Sequence, residues 1–190
     1  MTEKGLTLVE ILIAMGVAVV VGILLLSVMI NSAGLFYRES SKLQEGLNIN
    51  DALSKVRQST KQSSGVIASY TYGGTTYTSS ATQVVLKIPA LDNLGNIISN
   101  TNDYIVFFQD QNKLRYKLFP DAQSSRKSQD QIFSTSVDSL TFKYLNSQNP
   151  PNEVTPVSAT KVRIILSLKQ KNGQTIETNT ATSEAALRND

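Results

Sequence analysis

The 190-residue chain contains no histidine and no cysteine. Its chemistry therefore rests on carboxylates, hydroxyls and cations. The usual zinc sites, thiol nucleophiles, disulfides and serine–histidine–aspartate triads are excluded. Serine and threonine are abundant, but none has a recognisable base beside it. No catalytic residue is assigned, and the chain is not expected to be an enzyme. Three groups of residues remain. Asp92, Asn93 and Asn96 gather oxygen ligands of the kind calcium takes. Their spacing is not that of an EF-hand loop, and the residues of a tight turn look the same, so no metal or cofactor is expected. Lys113, Arg115 and Lys117 recur at every second position, with Tyr116 and Phe119 close by. On a strand, such a row can meet DNA phosphates and bases. The plainer role, and the expected one, is a solvated face whose charges discourage edge-to-edge association.

The third group is a single residue. From Leu6 to Ile30, Glu10 is the only ionisable side chain. The run exceeds the roughly 20 apolar residues that cross a bilayer. A secretory signal peptide has a basic start, a shorter apolar core and a small-residue cleavage site after it. Here the apolar segment is longer, and the small residue, Gly5, precedes it. A carboxylate deep in hydrocarbon costs about 2.5–3.5 kcal/mol, and less near the ends. Glu10 is therefore either a tolerated acid at the membrane boundary or one that awaits a cation. A cut after Gly5 would make Leu6 a charged amine, four residues and about 6 Å of helical rise from Glu10. The amine of a neighbouring copy would meet this carboxylate if subunits stacked with an axial offset. An unpaired buried acid is costly, whereas a paired one sets register.

The stretch KGLTLVEILIAMGV, from Lys4 to Val17, resembles the processing motif of the type IV pilin-like and type II secretion pseudopilin family. The resemblance implies a leader, residues 1–5, removed after Gly5 by a prepilin peptidase. It implies methylation of Leu6, which stands where phenylalanine is commoner, and assembly guided by Glu10. No proline precedes Pro89, although many major pilins carry one in this helix; this points to a minor subunit. Weaker likenesses follow in order along the chain: LSKVRQS at 53–59, YIVFFQDQNKLRY at 104–116, VDSLTFKYL at 137–145 and ALRN at 186–189. Together they are similar to PilW-like minor pilins and J-type pseudopilins. The implied partners are other pilin or pseudopilin subunits, the prepilin peptidase and an inner-membrane assembly platform. The implied location is the inner membrane as a single pass, with the head outside the cytoplasm, and then a periplasmic or surface filament. A formal charge of +3 from scattered basic residues does not by itself demand nucleic acid. A different class also accommodates the apolar run: a monomeric membrane-tethered binding module, with the helix only an anchor.

These residues need elements to position them. Residues 6–30 read as a transmembrane and assembly helix, with Gly16 and Gly22 offering close packing or flexibility. Residues 31–64 continue helix-compatible without proline. Phe36, Leu43 and Leu47 fall on one arc, and Ile49, Leu53 and Val56 on a second, rotated by about a third of a turn. The first suits neighbouring helices and the second the chain's own sheet; one loose amphipathic face is the alternative. A continuous helix from Leu6 to about Gln62 would be on the order of 85 Å long. Ser63–Gly65 is a stop signal.

Residues 65–190 switch to period 2. Gly73-Gly74 between alternating Tyr and Thr predicts a tight hairpin. Val84, Leu86 and Ile88 alternate, residues 91–96 turn, and Tyr104–Phe108 reads as a short apolar strand. A turn at 110–112 follows, then an alternating strand through Leu114, Tyr116 and Leu118. Residues 121–131 read as polar filling. Leu140, Phe142 and Tyr144 alternate, the paired prolines at 150 and 151 exclude a central strand, and Val162, Ile164, Leu166 and Leu168 alternate again. Asn172-Gly173 turns into a polar strand over about 174–183. The expectation is α+β: a long N-terminal helix packed on an antiparallel sheet with one wet face, in the lollipop arrangement that pilins share.

Overall fold

The computed structural model describes residues 8–172 and 175–188; the side chains of 36–48 and 170–175 lie outside the description. The chain divides into two units, Met1–Gln44 and Glu45–Asp190. Helix α1 runs over Leu8–Gln62. It ends where the sequence supplies competing hydrogen bonds. The Thr60 hydroxyl donates to the carbonyl of Val56 at 2.9 Å, and the Ser63 hydroxyl to that of Ser59 at 2.6 Å. Lys61 stands in the last turn, where a cation complements the helix dipole. The Ser64 amide then donates to Lys87 at 2.9 Å, which hands the chain to a strand.

Ten strands follow: β1 (Gly65–Val66), β2 (Ser69–Tyr72), β3 (Thr75–Thr78), β4 (Gln83–Leu91), β5 (Ile97–Asp110), β6 (Lys113–Phe119), β7 (Gln129–Ser134), β8 (Val137–Leu145), β9 (Lys161–Asn172) and β10 (Thr175–Ala186). They form a five-stranded sheet in the order β1-β4-β5-β6-β7, a three-stranded sheet β10-β9-β8 and the hairpin β2-β3. Every pairing is antiparallel. The fold is α+β, an apolar N-terminal helix followed by antiparallel sheets.

Ile49, Ala52, Leu53 and Val56 of α1 are buried in one cluster with residues of both larger sheets. Leu86, Ile88, Phe107 and Leu114 come from the first, and Leu140, Phe142, Ile164 and Leu166 from the second. The arc through Ile49, Leu53 and Val56 is thus buried in this cluster, with Ala52 added. The other arc, Phe36, Leu43 and Leu47, falls on side chains outside the description. The single proton of the Tyr144 hydroxyl of β8 is shared between the carbonyls of Ser80 and Gln83, each at 2.8 Å, and so ties the two sheets together. Burial raises the pKa of this phenol.

Three expectations needed correction. The five-stranded sheet does not have a uniformly wet second face. Val85, Val106 and Phe119 are buried there beneath Tyr70 and Tyr77 of the β2–β3 hairpin, with Tyr104 and Phe108 alongside. Tyr70 stacks on Tyr104 with centroids 4.1 Å apart. Consecutive apolar residues in β4 and β5 carried that signal, since alternation alone would leave one face polar. Next, β5 begins at Ile97, not near Tyr104. Its polar first half pairs with the end of β4 across a register shift between Pro89 and Leu91. Finally, β7 occupies part of the stretch read as polar filling. It is an edge strand with little apolar alternation, held by its ladder to β6.

Elsewhere the turns follow their residue chemistry. Gly73 and Gly74 have φ of 56° and 81°, the left-handed pair that a two-residue hairpin of this twist requires. Gln111, in the turn between β5 and β6, also has positive φ.

Candidate functional site

Glu10 lies in the first turn of α1 and is exposed. A carboxylate there is favoured by the positive end of the helix dipole. The segment Leu8–Leu35 has 28 residues with a mean hydropathy of 3.0, and none of its most apolar stretch is buried within the chain. At 1.5 Å per residue it extends about 42 Å, more than the roughly 30 Å of a bilayer's hydrocarbon core. Leu12, Ile13 and Leu24 are each at least 60% exposed. A helix of this kind suits a membrane anchor and, by the same test, a signal sequence. Among the described residues, no atom comes within 4 Å of a Cβ built at Gly16 or Gly22. Packing within the chain therefore does not require glycine at either position. Gly5 and Leu6, the expected cleavage and methylation positions, lie outside the described residues.

In the head, the basic row meets acids of its own sheet. Arg115 pairs with Asp110 at 3.1 Å and Asp130 at 3.0 Å, and Lys117 reaches Asp130 at 3.3 Å. The hydrogen bonds that Arg115 donates to Asp110 and Asp130 hold its pKa above the ordinary value. The guanidinium stands 6.0 Å from the Phe108 centroid and the Lys117 ammonium 5.9 Å from that of Tyr77, both at cation–π range. Arg115 Nε is buried without a partner, alone in this among the described residues. Tyr116 and Phe119 are buried, so neither ring is placed to stack on a base. Asp130 could not be assigned as a partner from the sequence because the strand carrying it was not recognised.

The oxygen cluster is a turn. Asp92 Oδ1 accepts the amides of Leu94 and Asn96, each at 2.8 Å, and Oδ2 accepts Asn96 Nδ2 at 3.1 Å. These donors, led by the Asn96 amide, lower the Asp92 pKa. Gly95, with φ of 84°, closes the turn. Lone pairs that a cation would use are thus occupied by the loop, and Asn93 is not drawn into these bonds. No group of three or more histidine, cysteine, aspartate or glutamate residues stands together among the described residues.

Sequence reasoning missed a polar centre at Asp103. Its carboxylate is fully buried and accepts the Asp121 amide at 2.8 Å, the Ser124 hydroxyl at 2.8 Å and Arg126 Nη1 at 2.6 Å. Arg126 Nη1 also donates to the Pro89 carbonyl. One carboxylate thus pins the β6–β7 loop to the β4–β5 edge. The available signal was an acid at the head of the apolar run DYIVFF; its partners lie 18 to 23 positions away.

Comparison of the chain with protein-family models, with curated proteins and with solved structures finds no match.

Proposed function

We propose that the chain is a minor pilin or pseudopilin, a structural subunit of a type IV pilus-like or type II secretion-like filament. On this reading a prepilin peptidase cuts after Gly5, Leu6 is methylated, and Glu10 guides assembly. The subunit waits in the inner membrane with its head outside the cytoplasm. Its apolar helix then passes from lipid into a bundle of like helices, where Glu10 meets the Leu6 amine of a neighbour. The lollipop arrangement of family members belongs to this proposal.

One observation carries it: Glu10, the one ionisable residue of the run Leu6–Ile30, stands in the first turn of a helix whose most apolar stretch is unburied among the described residues. Such a surface is satisfied by lipid, by other helices, or by each in turn. The gross attraction of a Glu10–amine pair is about 4 kcal/mol at 4 Å and an effective dielectric of 20. Desolvation offsets much of that, so the pair sets register while helix packing supplies cohesion. The test is Glu10→Gln and Glu10→Ala in the native cell, with membrane fractionation and filament sedimentation read together. Assembly is expected to fall while membrane insertion persists. Unchanged co-sedimentation with filaments would reject the role of Glu10. A chain that never joins a filament would favour the tethered binding module.

A further inference from the structure

A cleft of about 320 Å³ opens between the last turns of α1 and the strands β4–β6. Its floor is apolar, built from Ile88, Ile105 and Leu118. Two hydroxyl-bearing residues also line it, Ser59 and Tyr116, and each is only 4% exposed. Neither hydroxyl has a hydrogen-bond partner among the described residues, and neither is sealed from solvent. Tyr116 is braced by Phe107 and Phe133, at centroid distances of 5.2 and 5.3 Å, so its ring direction is set by packing. Burial raises its pKa, with the Arg126 charge working against that rise, so the phenol is a proton donor at neutral pH.

The rim is cationic. Lys55, Lys127 and Arg126 line it, and no aspartate or glutamate does. Asp103 already pairs with Arg126 and fixes its position, so Lys55 and Lys127 supply the rim's remaining positive charge. Gln58, Gln62 and Gln129 complete the edge with amides. Hydroxyls that line a cleft beside cations can donate to an anion that displaces their water. The apolar floor calls for a hydrophobic body attached to it.

We infer that this cleft binds a carboxylate carried on a small apolar group, with Tyr116 and Ser59 donating to the carboxylate and Lys55 and Lys127 drawing it in. Two sources share that chemistry: a free small acid, and the C-terminus of a peptide whose last side chain is apolar. The rim amides can pair with a peptide group only in the second case.

The test uses the full-length chain in neutral detergent, with methyl groups of Ile88, Ile105 and Leu118 observed by NMR. The probes are N-acetylphenylalanine, its uncharged amide and 3-phenylpropionate. N-acetylphenylalanine is expected to shift these methyls saturably with Kd of about 1 mM, and the amide to bind about tenfold more weakly. Tyr116→Phe keeps the ring packing and should weaken binding about tenfold, as loss of a hydrogen bond to a charged group does. Lys127→Ala should weaken it about two- to fivefold. A clear preference for N-acetylphenylalanine over 3-phenylpropionate assigns the peptide terminus; equal binding of the two assigns the free acid. No saturable shift, equal binding of the amide, or unchanged affinity in both variants would overturn the inference.

Discussion

Glu10 and Asp103 are both carboxylates set among apolar residues, and their surroundings differ. Asp103 is satisfied inside the head by an amide, a hydroxyl and a guanidinium. Removing it strands those donors around a buried cavity. Asp103→Ala should cost about 3 kcal/mol, the scale for breaking one side of a buried pair, and Asp103→Asn less. Chemical denaturation of the full chain, followed by tyrosine fluorescence, checks this; a loss below about 1 kcal/mol would mean the loop is held by other contacts. Glu10, by contrast, stands in a helix whose neighbouring apolar side chains are exposed. Glu10→Gln removes the charge but keeps hydrogen-bonding capacity. The proposed pairing predicts that it loses assembly about tenfold, as loss of a charge-assisted bond would, while inserting in the membrane at least as well. Glu10 was conspicuous in the sequence because it interrupts an apolar run. Asp103 was not, because its meaning depends on residues across a loop that only the fold brings near. The basic row was visible as a pattern, but its acids came from a turn and from an unrecognised strand.

At the scale of elements, α1 changes its task along its length. Ile49, Ala52, Leu53 and Val56 are buried in the head, while none of the most apolar stretch of Leu8–Leu35 is buried among the described residues. Val56→Ala opens a cavity at a site 1% exposed. It should destabilise the head by about 2 kcal/mol and lower its melting temperature by roughly 5 °C for a unit of this size. Leu24→Ala, 61% exposed, should leave that temperature unchanged. Calorimetry on the full chain distinguishes the two; equal effects would contradict the division of labour. The helix, its stop at Ser63–Gly65 and the Gly73-Gly74 hairpin were readable because each rests on local chemistry: periodicity, capping and left-handed glycine. Strand β7 was not readable because it is an edge held by ladder bonds more than by apolar pattern. The dry second face of the five-stranded sheet was written in Val84-Val85-Leu86 and in YIVFF, yet alternation with a single wet face was the simpler reading. That the hairpin supplies the cover is a tertiary fact with no local signature.

For the whole molecule, the proposed life cycle follows from one mismatch. The head has a buried core of its own, whereas the most apolar stretch of α1 is unburied among the described residues, and the proposal covers it with lipid and then with other copies. The fold class could be reached from the sequence because the switch from period 3.6 to period 2 is abrupt. The proposal that the chain is cut and joins other subunits rests on the motif at Lys4–Glu10. Intact-mass and N-terminal peptide mass spectrometry of the protein isolated from its native membrane tests it most directly. The account predicts a chain that begins at Leu6 and carries one added methyl group on its amine. A chain that retains Met1 through Gly5 would contradict it.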